Sequence, residues 1–262
     1  MHKNAENFRA EIEKVSHASS DDFFSWFNNS SNKDTAFNKG KLDFLVNIKK
    51  PLDEYIDLPA DKVALDIGHG GGRLLAEAAN HFGKTLGIDI HNKNNLVSKE
   101  LKTRAIFNYQ LIQFDGAHLP FTKNAIDIAY TFIVFQHLGR IELFKILIDE
   151  IFRILQYEGI AVIYFGRKRF FSLNKKSYAF FLLDCLFEQI CIPNGFIEFA
   201  APVNHSNLYI TLPHAKKIAR KAGFHILKTL VSRKINQDGE ITIGGQHGII
   251  LSKQQIKAGH YD

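Results

Sequence analysis

Residues 65–73 read Leu-Asp-Ile-Gly-His-Gly-Gly-Gly-Arg and follow the apolar pair Val63-Ala64. An apolar strand here runs into a turn with glycine at 68, 70, 71 and 72, and a helix is expected to open at Arg73-Leu74-Leu75. Glycine permits positive φ and lets a ligand approach the main chain closely. The first N–H groups of a following helix lack intrahelical partners and can face a polar ligand. The pattern predicts an α/β unit with a cofactor at the carboxyl end of its first strand.

The flanking sequence repeats the strand–helix alternation. Thr85-Leu86-Gly87-Ile88-Asp89-Ile90 reads as a second strand ending in an acid. An acid about 20 residues past the glycines is placed to accept hydrogen bonds from ribose hydroxyls. Residues 105–107 and 111–114 bracket a third strand, which leaves through Asp115-Gly116-Ala117-His118. Residues 125–132 and 160–165 read as strands four and five. Between them, Ile141, Phe144, Ile148, Ile151 and Leu155 mark one face of a helix over 140–156 that Tyr157-Glu158-Gly159 should close. A helix over 212–223 carries Pro213 in its first turn. Residues 224–231 and 247–251 then form an antiparallel pair, with a turn at Asp238-Gly239. Such alternation implies right-handed crossovers and a parallel sheet. The expected fold class is α/β: a doubly wound, mostly parallel seven-stranded sheet with a C-terminal antiparallel hairpin, an N-terminal helical segment and an insert after strand five.

Gly68, Gly70 and Gly72 make G-x-G-x-G rather than the G-x-G-x-x-G of dinucleotide sites, and Asp66 stands two residues before the first glycine. The spacing disfavours an NAD-linked oxidoreductase. With Asp89, Asp115 and the segment 133–138 after strand four, the chain resembles the class I, Rossmann-like, S-adenosylmethionine-dependent methyltransferase family, in its small-molecule branch. The resemblance is close over residues 60–166 and looser to about residue 253. It implies S-adenosylmethionine as cofactor and S-adenosylhomocysteine as product, with no metal. On that resemblance Asp66, Gly68, His69, Gly70 and Gly72 surround the methionine part. Asp89 with Ile90 takes the ribose, Asp115 with Gly116 and Ala117 takes the adenine, and Phe132 completes the site. Asp89 and Asp115 also read as ordinary turn acids.

A sulfonium methyl group is already activated, so the protein's tasks are alignment and, where needed, removal of a proton. Histidine suits the second task near neutral pH. Of the 12 histidines, His137 after strand four is the first candidate and His69 in the glycine loop the second. His205, in Asn204-His205-Ser206-Asn207, and His118 follow. Each reads equally as a packed or surface residue.

Several subclasses are disfavoured. Thr131-Phe132-Ile133-Val134 replaces the Asn/Asp-Pro-Pro-Tyr/Phe of enzymes that methylate exocyclic amines. Neither Cys185 nor Cys191 stands at a catalytic turn, and their spacing suggests neither a disulfide framework nor a zinc site; buried free thiols in a reducing cytoplasm are the simple reading. No acidic cluster follows strand four, and no RNA-binding signature appears. The expected activity is methyl transfer to an oxygen or nitrogen of a small molecule or glycan precursor. The alternatives are a non-catalytic protein of this fold that binds nucleic acid or a protein partner, and an RNA methyltransferase.

The 262 residues, 45% of them hydrophobic, suit one α/β domain with additions. Net charge +6 favours an anionic partner, an acidic or lipid-linked acceptor included. Nucleic acid is not the expected partner, and a homodimer is one option. No run reaches the ~18 apolar residues of a membrane span and no signal peptide opens the chain, so a cytoplasmic location is expected. The many Lys, Asn, Ile and Phe residues point to an AT-rich, bacterial genome. The organisation read from the sequence is an N-terminal helical cap (1–59), a cofactor core (60–166), an insert or lid (167–207) and a C-terminal part of the core (208–262). In the cap, Phe23-Phe24-Ser25-Trp26-Phe27 is an aromatic cluster that either covers the cofactor or packs on the sheet, and a helix over 42–56 is disturbed by Pro51. The insert combines Arg167-Lys168-Arg169 and Lys175-Lys176 with an apolar helix over 178–192.

Overall fold

The computed structural model describes residues 3–27, 32–57, 59–171, 177–203, 205–235 and 239–255. The chain opens with three helices, α1 (Lys3–Ala18), α2 (Ser20–Trp26) and α3 (Lys33–Phe44). A π-helical turn (Leu45–Lys49) and the short α4 (Lys50–Leu52) continue α3 without a break. The helix expected from residue 42 thus starts at Lys33, where the Asn32 side chain caps it by accepting from the Thr35 N–H at 2.8 Å. Pro51 has no N–H for the carbonyl four residues back. That carbonyl, of Asn47, takes a hydrogen bond from the Tyr164 hydroxyl at 2.9 Å instead. The Asn47 amide also accepts from Arg233 N (2.7 Å) and donates to Arg233 O (3.0 Å), which fixes this segment to the C-terminal part of the sheet. A buried Arg73–Asp43 ion pair at 2.6 Å fixes it to the glycine turn.

The sheet strands follow the sequence reading: β1 (Val63–Ile67), β2 (Lys84–Asp89), β3 (Tyr109–Gln113), β4 (Ile126–Thr131) and β5 (Leu155–Gly166). The helices α5 (Arg73–Ala78), α6 (Asn94–Thr103) and α7 (Ile141–Ile154) connect them. Strand five starts five residues earlier than expected. The backbone turns extended at Leu155, so Tyr157, Glu158 and Gly159 lie within the strand rather than closing the helix.

The insert holds α8 (Tyr178–Cys191) and a small antiparallel pair, β6 (Phe196–Glu198) with β7 (Leu208–Ile210), which the sequence reading did not contain. The chain ends with α9 (Leu212–Lys221), β8 (His225–Ile235) and β9 (Ile241–Ser252). Gly239 between them has φ +77°, whereas Asp238 lies outside the described residues, as do Lys175 and Lys176. The seven-stranded order is β3-β2-β1-β4-β5-β9-β8, with β9 antiparallel to both of its neighbours, β5 and β8, and the other pairs parallel.

Alternate residues of each strand feed two cores. Leu65, Ile67, Ala161, Ile163 and Phe165 pack with α7 and α9. Ala64, Ile128, Tyr130, Val162 and Tyr164 pack under Phe44, Ile48, Leu52 and Leu74. Burial on both faces explains why these strands read as continuous apolar runs.

Two elements cover the carboxyl ends of the strands. Helix α1, where the sequence looked merely polar, presents Arg9, whose guanidinium donates to Ile90 O (2.9 Å) beyond β2 and Phe114 O (3.3 Å) beyond β3. The insert is anchored by buried polar pairs: Arg167 pairs with Asp184 at 2.9 Å and His247 with Glu188 at 2.5 Å. The expectation of two buried thiols is corrected. Cys185 is half-buried, with its thiol pushed up to about 11 by burial, and Cys191 is exposed because it sits on the outer side of α8. No helix among the described residues is long and apolar enough to cross a membrane.

Candidate functional site

A cavity of about 590 Å³ opens at the carboxyl ends of β1, β2 and β4. In an open α/β sheet this edge, where the strand order reverses, is the expected ligand crevice. Its floor is the glycine turn. Gly68, Gly70 and Gly72 have φ of +84°, +53° and +78°, so the turn follows a path that L-residues rarely adopt. Gly68 and Gly70 face the cavity, whereas Gly72 stands behind them and packs on Val97 of α6.

Residue 70 is held from three sides. Its N–H donates to Asp89 Oδ2 at 2.8 Å. Its carbonyl is met by His69 Nδ1 at 2.9 Å and His91 Nε2 at 3.0 Å. Lys93 N–H donates to His91 Nδ1 at 3.1 Å, so the His91 proton sits on Nε2 and points at that carbonyl. His69 Nε2 faces Asn94 Oδ1 at 3.2 Å. His69, Asp89 and His91 form a buried cluster of potential metal-ligating atoms within 4.8 Å of one another. Each of its ring nitrogens already has a hydrogen-bonding neighbour within the chain. Burial holds His69 down at about 4, so its imidazole is neutral at pH 7. Despite its own burial, Asp89 is held below the ordinary carboxylate value by the adjacent His91 and His69 rings and by the N–H groups of Gly70 and His91. His91 and Asn94 were missed in the sequence; the one signal was a histidine two residues after the strand-end acid.

Asp66 stands beside Tyr130 in the β1–β4 register and lines the cavity. Its Oδ2 is buried and has no hydrogen-bond partner. Burial pushes its carboxyl up to about 8, and the positive charge of Arg73 only partly offsets that. A buried orphan acceptor of this kind suits a cationic ligand. A cation held against this carboxyl would favour its ionised form. S-adenosylmethionine is therefore expected to release close to one proton on binding at pH 7. Calorimetry in buffers of different ionisation enthalpy measures that number, and it should fall to near zero in Asp66→Asn.

The other sequence candidates divide. Ile90, Gly116 and Phe132 line the cavity with Asp89 and His69. Asp115 and Ala117 do not: the Asp115 carboxylate turns into its own loop. It accepts from Ala117 N (2.8 Å), His118 N (2.7 Å) and the His118 ring (2.8 Å). Against the effect of partial burial, these contacts hold Asp115 down at about 2. The expected adenine contact and the expected His118 base are in this structure partners in an exposed turn. His205 is corrected likewise. Its side chain is exposed outside the cavity, and its backbone carbonyl faces His137 Nδ1 at 2.8 Å.

His137 does line the cavity, on the 3-10 turn Phe135–His137 after β4. With Nδ1–H donated to the His205 carbonyl, the lone pair lies on Nε2, where the Gln136 amide nitrogen approaches at 3.1 Å. Burial lowers its pKa from the ordinary histidine value. Ile133, also in the wall, has φ +66°, a strained state for a β-branched residue. Buried Asn207 ties the insert to this turn: its N–H donates to Gln136 O at 2.8 Å, and its Oδ1 accepts from Ala201 N at 2.8 Å. Four aromatic residues also line the wall, Phe8 of α1, Trp26 and Phe27 from the cluster around α2, and Phe199 after β6, and Arg140 and Glu198 add charged side chains to it. Of the α2 cluster, Phe23 and Phe24 are buried packing residues, and Trp26 and Phe27 reach the cavity.

Comparison with known proteins agrees with this geometry. Residues 65–163 match the family described as the methyltransferase domain. A S-adenosylmethionine-dependent methyltransferase structure from Methanosarcina mazei superposes with a TM-score of 0.56 at 16% identity, covering 81% of this chain and 99% of its own. The mitomycin 7-O-methyltransferase MmcR gives 0.57 at 11% identity, over 93% of this chain and 60% of its own. A possible histamine N-methyltransferase from Thermotoga maritima gives 0.54 at 12% identity, over 95% and 99%. No curated protein matches the chain. Residues 65–163 thus carry a methyltransferase domain, and the chain has the fold of S-adenosylmethionine-dependent methyltransferases.

Proposed function

We propose that the protein transfers the methyl group of S-adenosylmethionine to an oxygen or nitrogen of a small-molecule or glycan-precursor acceptor, lipid-linked or anionic acceptors included. The observation that carries this reading is His137. It stands in the wall of the same cavity as the glycine turn, neutral by burial, with its proton fixed on Nδ1. The cofactor supplies an activated methyl group, and the residues on the page fit it: the orphaned Asp66 carboxyl oxygen, the positive-φ turn at Gly68 and Gly70 in the cavity floor, and the Asp89 carboxylate at the end of β2.

In this reading Asp66 neutralises the cationic amino-acid end. Asp89 holds the Gly70 N–H and offers its remaining acceptor capacity to ribose hydroxyls. Ile90, Phe114 and Gly116 line the adenine end. Phe8, Trp26, Phe27 and Phe199 align an acceptor with an apolar or aromatic body and exclude water. His137 Nε2, which in this structure accepts from the Gln136 amide, takes the proton that the acceptor oxygen or nitrogen loses once the acceptor replaces that amide. The O- and N-methyltransferase names of two structural neighbours accord with a small acceptor.

The cofactor half is tested by calorimetric titration of Asp89→Ala. Affinity for S-adenosylmethionine should fall by roughly 1.5–3 kcal/mol, the worth of a charge-assisted pair of hydrogen bonds. Unchanged affinity would remove Asp89 from the ribose site. RNA bound more tightly than S-adenosylmethionine, with a steep salt dependence, would favour the nucleic-acid alternative.

A further inference from the structure

Helix α8 is turned inside out. Its buried residues are Phe181, Asp184 and Glu188, and both of its charged side chains are among them. Asp184 pairs with Arg167 and accepts the Phe170 and Phe171 N–H groups at 2.9 and 2.8 Å. Glu188 pairs with the His247 ring and accepts the Lys168 N–H at 2.6 Å. The outward side carries Leu182, Leu183, Leu186 and Ile190, exposed by 54%, 41%, 53% and 66%, with Tyr178, Phe180 and Phe187 beside them. Phe171 extends this surface, its ring 4.9 Å from Phe187. No charged side chain of α8 reaches solvent. A helix that faces water normally carries the opposite pattern, and a contiguous apolar surface of this extent marks an interaction site.

We infer that this face of α8 seats the enzyme on an anionic lipid membrane, lying in the interfacial plane. Charge decides the occupant. Arg169, which is exposed, immediately precedes Phe170, whose ring lies 6.1 Å from that of Phe187, on a chain of net charge +6. Basic residues beside an apolar helical face bind anionic lipid headgroups while the apolar side chains enter the acyl boundary. A two-fold contact between copies would place α8 against α8. Each Arg169 would then meet no carboxylate on that helix, because Asp184 and Glu188 are both buried and paired. A few residues beyond α8 the chain reaches Glu198, at the end of β6, and Phe199, both of which line the cavity. Docking does not require the methyl-transfer reading, and S-adenosylmethionine affinity measured separately tells the two apart.

The test is co-sedimentation of the full chain with vesicles of phosphatidylcholine, with and without phosphatidylglycerol. The protein should sediment with the anionic vesicles and far less with the neutral ones. Changing Leu182→Glu, Leu186→Glu and Ile190→Glu together should lower vesicle partitioning by at least about tenfold, with melting temperature and S-adenosylmethionine affinity retained. Serine at the same three positions repeats the test should glutamate unfold the helix. Arg169→Glu should weaken binding to anionic vesicles alone. Wild-type protein that stays in the supernatant with anionic vesicles overturns the proposal. So does a dimer in sedimentation equilibrium that the triple variant dissociates and that shows no vesicle binding.

Discussion

Gly70→Val should abolish measurable binding of S-adenosylmethionine, a loss of at least about a hundredfold, in a protein that still folds. Residue 70 has φ +53°, where a β-branched side chain is strained by roughly 1–3 kcal/mol. A Cβ there would also lie 2.8 Å from Phe27 Cδ1, so the aromatic wall would be pushed aside. The N–H bond to Asp89 and the two histidine contacts to the Gly70 carbonyl all depend on the path that valine disfavours. Gly71→Ala is the control. Gly71 has no positive φ, and its Cβ would meet Phe24 Cδ1 at 3.1 Å, so a much smaller loss is expected. Titration calorimetry with circular dichroism decides it. If the valine variant binds as well as wild type, the turn is only structural.

His137→Ala should lower kcat by about 10²–10⁴-fold for any acceptor that must lose a proton, with little change in cofactor affinity. The neutral form of His137 is the base, and burial lowers its pKa. The rate of the wild-type enzyme should therefore stay flat as pH falls through the ordinary histidine range near 6.5, and drop only below it. Replacing His205 should have a small effect, because only its backbone carbonyl touches His137. A His137→Ala enzyme with wild-type kcat would assign the proton to solvent or to another group.

The two variants probe parts of the site with different legibility. The glycine turn, the first two strands and Asp89 are short-range features: glycine spacing and an acid at a strand end are local constraints, and they appear as expected. The N-terminal helices were harder to read. Helix α1 is polar on average, and its importance lies in Arg9 reaching carbonyls 81 and 105 residues away. The π-helical turn before Pro51 depends on Tyr164, 117 residues on from Asn47. Asp115 and His118 show the opposite error. Each has a chemistry that suits a site, and local turn geometry pairs them with one another instead.

The sequence by itself determined the α/β alternation, the parallel core, the closing antiparallel hairpin and the cofactor-type turn. These rest on periodicity, on glycine's access to positive φ, and on burial of both sheet faces, all of which act over a few residues. Tertiary structure alone decided that His69 and His137 reach the cavity and His118 and His205 do not, that Asp66 Oδ2 is left buried without a partner, and which way α8 faces. The protonation of Asp66 follows from desolvation by the assembled core, and the tautomer of His137 from a carbonyl 68 residues away. The apolar helix over 178–191 was legible as a helix. Its outward apolar face was not, because the reason its charges turn inward lies in Arg167, just after β5, and His247 of β9.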